Sequence, residues 1–82
     1  MRYQFRFEPA VLRQLNRFPA DALDGLISVM ADITMYPDDP LRSRPASRPG
    51  ERRATFGGFG LVTYEIDEPG QLVIVTDVTW AG

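Results

Sequence analysis

The segment Leu72-Val73-Ile74-Val75-Thr76-Asp77-Val78 is apolar on both faces over most of its length, and that run limits the folds open to the chain. A strand whose apolar side chains point both ways belongs inside a sheet, with neighbours at its edges and cover on both faces. The chain has 82 residues, enough for one domain spanning 1–82 and too few for two. A chain of this size buries only about 60% of the surface it exposes when unfolded, so its core depends on good patterning. With 44% hydrophobic and 11% aromatic residues, the composition is that of a folded globule rather than a disordered tail.

The rest of the pattern supplies the neighbours and part of the cover. Tyr3, Phe5 and Phe7 alternate with Arg2, Gln4 and Arg6, which predicts a half-buried strand. Pro9 suits the first turn of a helix, where its missing N–H has no partner to lose. Val11, Leu12 and Leu15 follow at helical spacing, and this short helix ends near Phe18-Pro19. A second helix is expected from Ala20 or Asp21, whose carboxylate favours the positive end of the helix dipole. Its stripe is Leu23, Leu26, Ile27, Met30 and Ile33, with Gly25 weakening it by about 1 kcal/mol relative to Ala. Tyr36-Pro37 closes it, because the residue before proline is driven out of the α region.

Residues 37–50 hold four of the seven prolines, with Ser43, Ser47 and Gly50 among them, and read as a loop. Unstructured connections of that length tend to be functional or mobile. Three strands follow: Arg52–Phe56, then Phe59–Ile66 after a Gly57-Gly58 turn, then Leu72–Thr79 after a turn at Asp67-Glu68-Pro69-Gly70. The order β-α-α-β-β-β predicts an α+β fold. Two helices pack on one face of a short, mostly antiparallel four-stranded sheet, and the first strand lies alongside the meander. The two helices account for one covered face of Leu72–Val78; the cover for the other is open.

Composition removes several chemistries. The chain has no cysteine and no histidine, which excludes disulfides, thiol nucleophiles, Cys/His zinc sites and the commonest acid–base group. Catalysis, if any, rests on Arg, Asp, Glu, Tyr, Ser or Thr. Asp38-Asp39 lacks a third ligand nearby and reads as a solvated turn, so neither metal nor cofactor is expected. The alternating N-terminus has no apolar h-region, no run approaches the ~20 apolar residues that cross a bilayer, and a cytoplasmic protein is expected.

Net charge is −2, yet the distribution is uneven. All nine basic residues are arginine, and Arg42, Arg44, Arg48, Arg52 and Arg53 fall within twelve positions where Glu51 is the only acid. A guanidinium stays charged and offers a planar fork that matches phosphate oxygens. The strip therefore points to a polyanionic or acidic partner, with solvated loop arginines as the alternative.

These residues, in this order, resemble the RelE/ParE superfamily of bacterial type II toxins. The features that carry the resemblance are the opening strand followed by Glu8-Pro9-Ala10 and Leu12-x-x-Leu15, and a second helix closing in Tyr36-Pro37. After these come the strand with Arg52 and Arg53, the Gly57-Gly58 hairpin and Val62-Thr63-Tyr64-Glu65-Ile66-Asp67. The resemblance covers essentially the whole chain. It implies a toxin paired with a small antitoxin. The RelE branch are ribonucleases that cut mRNA, commonly in the ribosomal A site, whereas the ParE branch inhibit DNA gyrase. The resemblance places basic residues on the second strand, where Arg52 and Arg53 fall. Many RelE-like enzymes carry an arginine three residues before the strand tyrosine, a position occupied here by Leu61. Many also carry catalytic His, Arg or Tyr after the last strand, where this sequence reads Trp80-Ala81-Gly82.

Metal-free RNA cleavage requires a deprotonated 2′-hydroxyl, a stabilised phosphorane and a protonated leaving oxygen. The candidates are Arg52, Arg53, Tyr64 and Asp77 for catalysis, with Glu51 and Glu65 also open as the general base, and Arg44, Arg48 and Trp80 for RNA binding. Each has a plainer reading. Arg52 and Arg53 are strand neighbours, so only one can look into a given site; the other meets solvent, a carboxylate or the antitoxin. Arg44 and Arg48 are solvated loop residues in the plain reading. Tyr64 needs a pKa far below about 10 to act as a base, and otherwise is a core tyrosine. Asp77 interrupts an apolar strand and needs a partner, for which an arginine serves. Trp80 either stacks on a base or caps the core. The enzyme reading is a small metal-independent ribonuclease, with RNA, an antitoxin and the ribosome as candidate partners. The alternative is a non-catalytic binding protein, such as a gyrase-directed or antitoxin-bound module. A homodimer through the uncovered sheet face is a third arrangement.

Overall fold

In the computed structural model, which describes residues 2–82, the strands are β1 (Gln4–Phe7), β2 (Arg44–Pro45), β3 (Glu51–Phe56), β4 (Gly60–Asp67) and β5 (Leu72–Trp80). The helices are α1 (Pro9–Leu15) and α2 (Ala20–Met35). The sheet order is β1-β5-β4-β3-β2, with β1 parallel to β5 and the other pairs antiparallel. The sheet is thus five-stranded and mixed rather than four-stranded. The extra strand is Arg44–Pro45, inside the segment expected to be all loop. Pro45 sits there because β2 is the sheet edge, where a residue without an N–H costs no ladder bond.

The apolar strand β5 is central, between β1 and β4. Its Val73, Val75 and Val78 are buried under the helices with Val62, Tyr64, Ala54 and Phe56 from β3 and β4. Each such side chain contributes about 1.5–3 kcal/mol by leaving water. The second face of β5 is not covered: Leu72 and Ile74 on that side are only half-buried. The expectation of cover on both faces therefore fails, and the sheet keeps one open face.

α2 lies across the covered face, touching β1, β3, β4 and β5, while α1 packs on β5. The buried stripe of α2 is Ala22, Leu26, Met30, Ile33 and Thr34. Ile27, expected in that stripe, is 68% exposed, because the helix is rotated to bring small residues toward the β3–β4 hairpin. Gly25 permits that close approach: a Cβ there would stand 3.0 Å from the Cα of Gly57. No helix among the described residues is long and apolar enough to cross a membrane.

Candidate nucleic-acid interface

Alternation along β3 sends Arg52 and Arg53 to opposite faces, and the ladder decides what each meets. Arg53 is opposite Arg44 on one side and Thr63 on the other, and Thr63 is opposite Asp77. Directly opposed residues share a face. Arg44, Arg53, Thr63 and Asp77 thus form one row across the open face, one residue from each of four strands. The Arg53 guanidinium is held in the row by its Nε, which donates to Thr63 Oγ1 at 3.1 Å. Among the described residues Asp77 accepts only a long bond, 3.5 Å from Gln14 Nε2 of α1. Among the described residues none of Arg44, Arg53 and Asp77 belongs to an ion pair. Arg53 is two strands from Asp77 in the sheet, and its guanidinium leans onto Thr63 of the strand between them without pairing with the carboxylate.

Arg52 and Tyr64 oppose each other on the covered face and are not brought together with Arg53 and Asp77. Arg52 donates from Nε to Ser43 Oγ at 2.7 Å and from Nη2 to the Ser43 carbonyl at 2.8 Å. The Tyr64 hydroxyl donates to the Pro37 carbonyl at 2.7 Å, fully buried. Burial pushes the Tyr64 phenol above its ordinary value; the Ser43 hydroxyl and the Arg52 guanidinium pull it only partly back. Tyr64 is therefore a protonated core residue at neutral pH, unsuited to act as a base. Together Arg52 and Tyr64 fasten both ends of the 37–43 segment, which delivers Arg44 to the open face.

The remaining candidates separate in the same way. Arg48 Nη2 lies 3.4 Å from Glu51 Oε2 and 3.2 Å from Glu65 Oε1. Glu51 and Glu65 are opposed on the open face, one row along from Arg53 and Thr63. The Glu51 carboxylate also accepts the Ser47 N–H at 3.0 Å, closing the turn between β2 and β3. The Arg48 side chain is 66% exposed, so these pairs add little stability, but its charge is already offset. Trp80 is on the covered face, opposite Gly60. Its ring lies 6.5 Å from that of Phe18, and its buried Nε1 has no hydrogen-bond partner among the described residues. It closes the end of the core and is turned away from the Arg53 row.

Sequence reasoning missed Thr63 and Gln14 as members of the site. Thr63 carries no signal of its own; only the ladder register, which sets it between Arg53 and Asp77, identifies it.

A second feature lies at the other edge. β1 is the free edge of the sheet, and between it and α2 runs an apolar groove of about 700 Å³, lined by Tyr3, Phe5, Phe7, Leu26 and Met30 among others. Phe5 and Ile27 stand exposed along it.

No family model and no curated protein matches the sequence. Solved structures do match. A chain of the toxin–antitoxin complex RelBE2 from Mycobacterium tuberculosis superposes with TM-score 0.85 at 23% identity, over 99% of this chain and 100% of that one. The isolated RelE toxin of E. coli gives TM-score 0.85 at 14% identity, over 98% and 85%. The archaeal RelE–RelB complex from Pyrococcus horikoshii gives 0.74 at 11%, over 100% and 98%. The likeness is one of fold: this chain has the fold of the RelE toxins.

Proposed function

We propose that the chain is a RelE-like toxin, a small metal-independent endoribonuclease acting on RNA in the cytoplasm and restrained by an antitoxin. The observation that carries this reading is the Arg44–Arg53–Thr63–Asp77 row on the uncovered sheet face. Arg53, oriented by Thr63, and Arg44 beside it take the non-bridging oxygens of one phosphodiester. Two like charges directly opposed across strands repel, and a bound phosphate turns that cost into attraction. Asp77, across Thr63 from Arg53, accepts the 2′-hydroxyl proton. The 2′-oxygen then bonds to phosphorus, the guanidinium groups stabilise the added negative charge, and the P–O5′ bond breaks. The departing 5′-oxygen takes a proton from the Asp77 carboxyl or from water, leaving a 2′,3′-cyclic phosphate.

The antitoxin belongs, on this reading, in the groove between β1 and α2. A free strand edge beside an apolar trough suits an added strand with alternate apolar side chains. The RelE-fold structures from M. tuberculosis and P. horikoshii are themselves a toxin–antitoxin complex and a RelE–RelB complex.

The test is cleavage of end-labelled RNA by the purified chain in EDTA, with and without ribosomes. Cleavage that persists in EDTA and is lost in Arg53→Ala supports the enzyme. A second reading, a non-catalytic RelE/ParE-like docking protein, is favoured by one observation: Asp77 is the only carboxylate in the row, so no separate acid serves the leaving group. Intact RNA under both conditions, together with toxicity on expression, selects that reading.

A further inference from the structure

We propose that Phe59, at the tip of the β3–β4 hairpin, is a base-stacking platform that sets the direction of a single RNA strand across the open face. This deepens the RNA reading above and rests on it. The ladder bond from Ala81 N–H to the Phe59 carbonyl, 3.0 Å, extends the β4–β5 pairing one residue beyond Gly60 and Trp80. By alternation Phe59 therefore shares the face of Leu61 and Thr63. It is 66% exposed and outside the hydrophobic core.

Charge fixes which way a polyanion leaves the Arg53 row. Toward one end of the strands the next row is Glu51 and Glu65, whose two carboxylates are met by one cation among the described residues, Arg48. Toward the other it is Thr55, Leu61 and Thr79, uncharged, with hydroxyls at both edges and a half-exposed leucine between them. A phosphate backbone anchored at Arg44 and Arg53 is repelled from the first direction and admitted to the second. Successive same-face residues on a strand are about 7 Å apart, so Phe59 lies two such steps from Thr63. At that distance the ring meets the base of a nucleotide next to the anchored phosphate or one further along. Stacking on an aromatic face tolerates every base, so the platform supplies affinity and register more than sequence choice.

The experiment uses the full chain and a short single-stranded oligoribonucleotide with 2′-O-methyl groups throughout, which binds but cannot be cut. One base is replaced by 2-aminopurine, whose fluorescence is quenched by stacking. The wild-type chain is expected to bind and quench. Phe59→Ala is expected to bind about 5- to 100-fold more weakly and not to quench, while Phe59→Trp restores both. Binding within twofold of wild type in Phe59→Ala, with Arg53→Ala impaired, overturns the proposal and leaves the RNA reading standing. No RNA binding by the wild-type chain overturns both. Sedimentation that shows a wild-type dimer lost in Phe59→Ala, with RNA binding unchanged, assigns the ring to a copy-to-copy contact and also overturns it.

Discussion

Arg52 grips Ser43 twice, through the hydroxyl at 2.7 Å and the carbonyl at 2.8 Å, and Ser43 is the residue before Arg44. A side chain under the helices thereby fixes the position of one on the open face. Arg52 is a positioning residue, and Arg53, its neighbour in the chain, is the one on the open face.

The two arginines are therefore expected to fail differently. Arg53→Ala leaves the urea midpoint close to wild type and lowers RNA cleavage by about 10²–10³-fold, the range for losing a charge-stabilising donor. Arg52→Ala removes two hydrogen bonds from a charged donor and costs about 1.5–3 kcal/mol of stability, with a smaller loss of activity through a displaced Arg44. Urea titration and single-turnover cleavage separate them.

Asp77→Asn tests the proton acceptor. The amide keeps the size of the side chain and its contact with Gln14 but cannot take a proton. Cleavage is expected to fall by about 10²–10⁴-fold. Binding of a non-cleavable RNA holds or tightens, because a negative charge has been removed from beside the backbone. A parallel loss of binding would place Asp77 in structure rather than chemistry.

The sequence made the elements legible but not the site, and register is the reason. Reading Gly57-Gly58 as a two-residue turn pairs Phe56 with Phe59 and opposes Arg53 to Val62. In the structure the loop includes Phe59, Phe56 pairs with Gly60, and Arg53 opposes Thr63. A one-residue slip exchanges the faces. β5 adds a second shift, since Thr63 pairs with Asp77 but Tyr64 pairs with Val75, leaving Thr76 as an extra residue. Local patterning reports neither event. β2 was hidden for a different cause: two residues in a proline-rich segment have no periodicity to read, and the strand exists because Ser43 and Glu51 hold its flanks. The opposed faces of Arg52 and Arg53, by contrast, needed only alternation.

Tyr64→Phe should cost about 1–3 kcal/mol, since the buried Pro37 carbonyl loses its donor. It also changes the pH dependence. The Tyr64 phenol is raised above its reference value of 10.0, so above that pH the unfolded chain releases this proton while the folded chain retains it. The folded state then binds more protons, and stability falls as pH rises. The wild-type urea midpoint is expected to be insensitive to this group below about pH 10 and to decline above it. Tyr64→Phe lacks that part of the decline.

Gly25→Ala sets helix propensity against packing. In the middle of α2 alanine is favoured over glycine by about 1 kcal/mol, so on propensity alone the substitution stabilises. The new methyl, however, would stand 3.0 Å from Gly57 Cα and 3.1 Å from Gly57 N, backbone atoms that have no rotamer to move away. Gly57 has φ +59 and Gly58 φ +80, so the hairpin is held in a conformation few residues adopt. On its other side Gly57 is backed by the Trp80 indole, whose Nε1 lies 3.7 Å from where a Cβ on Gly57 would be. Overpacking of this kind costs about 1–3 kcal/mol, which exceeds the propensity gain. A lower urea midpoint for Gly25→Ala, with unchanged helical circular dichroism, is the expected result; a higher one would mean that the hairpin yields freely. Because the hairpin carries Phe59, the same variant should weaken binding of the non-cleavable RNA if the tip is displaced.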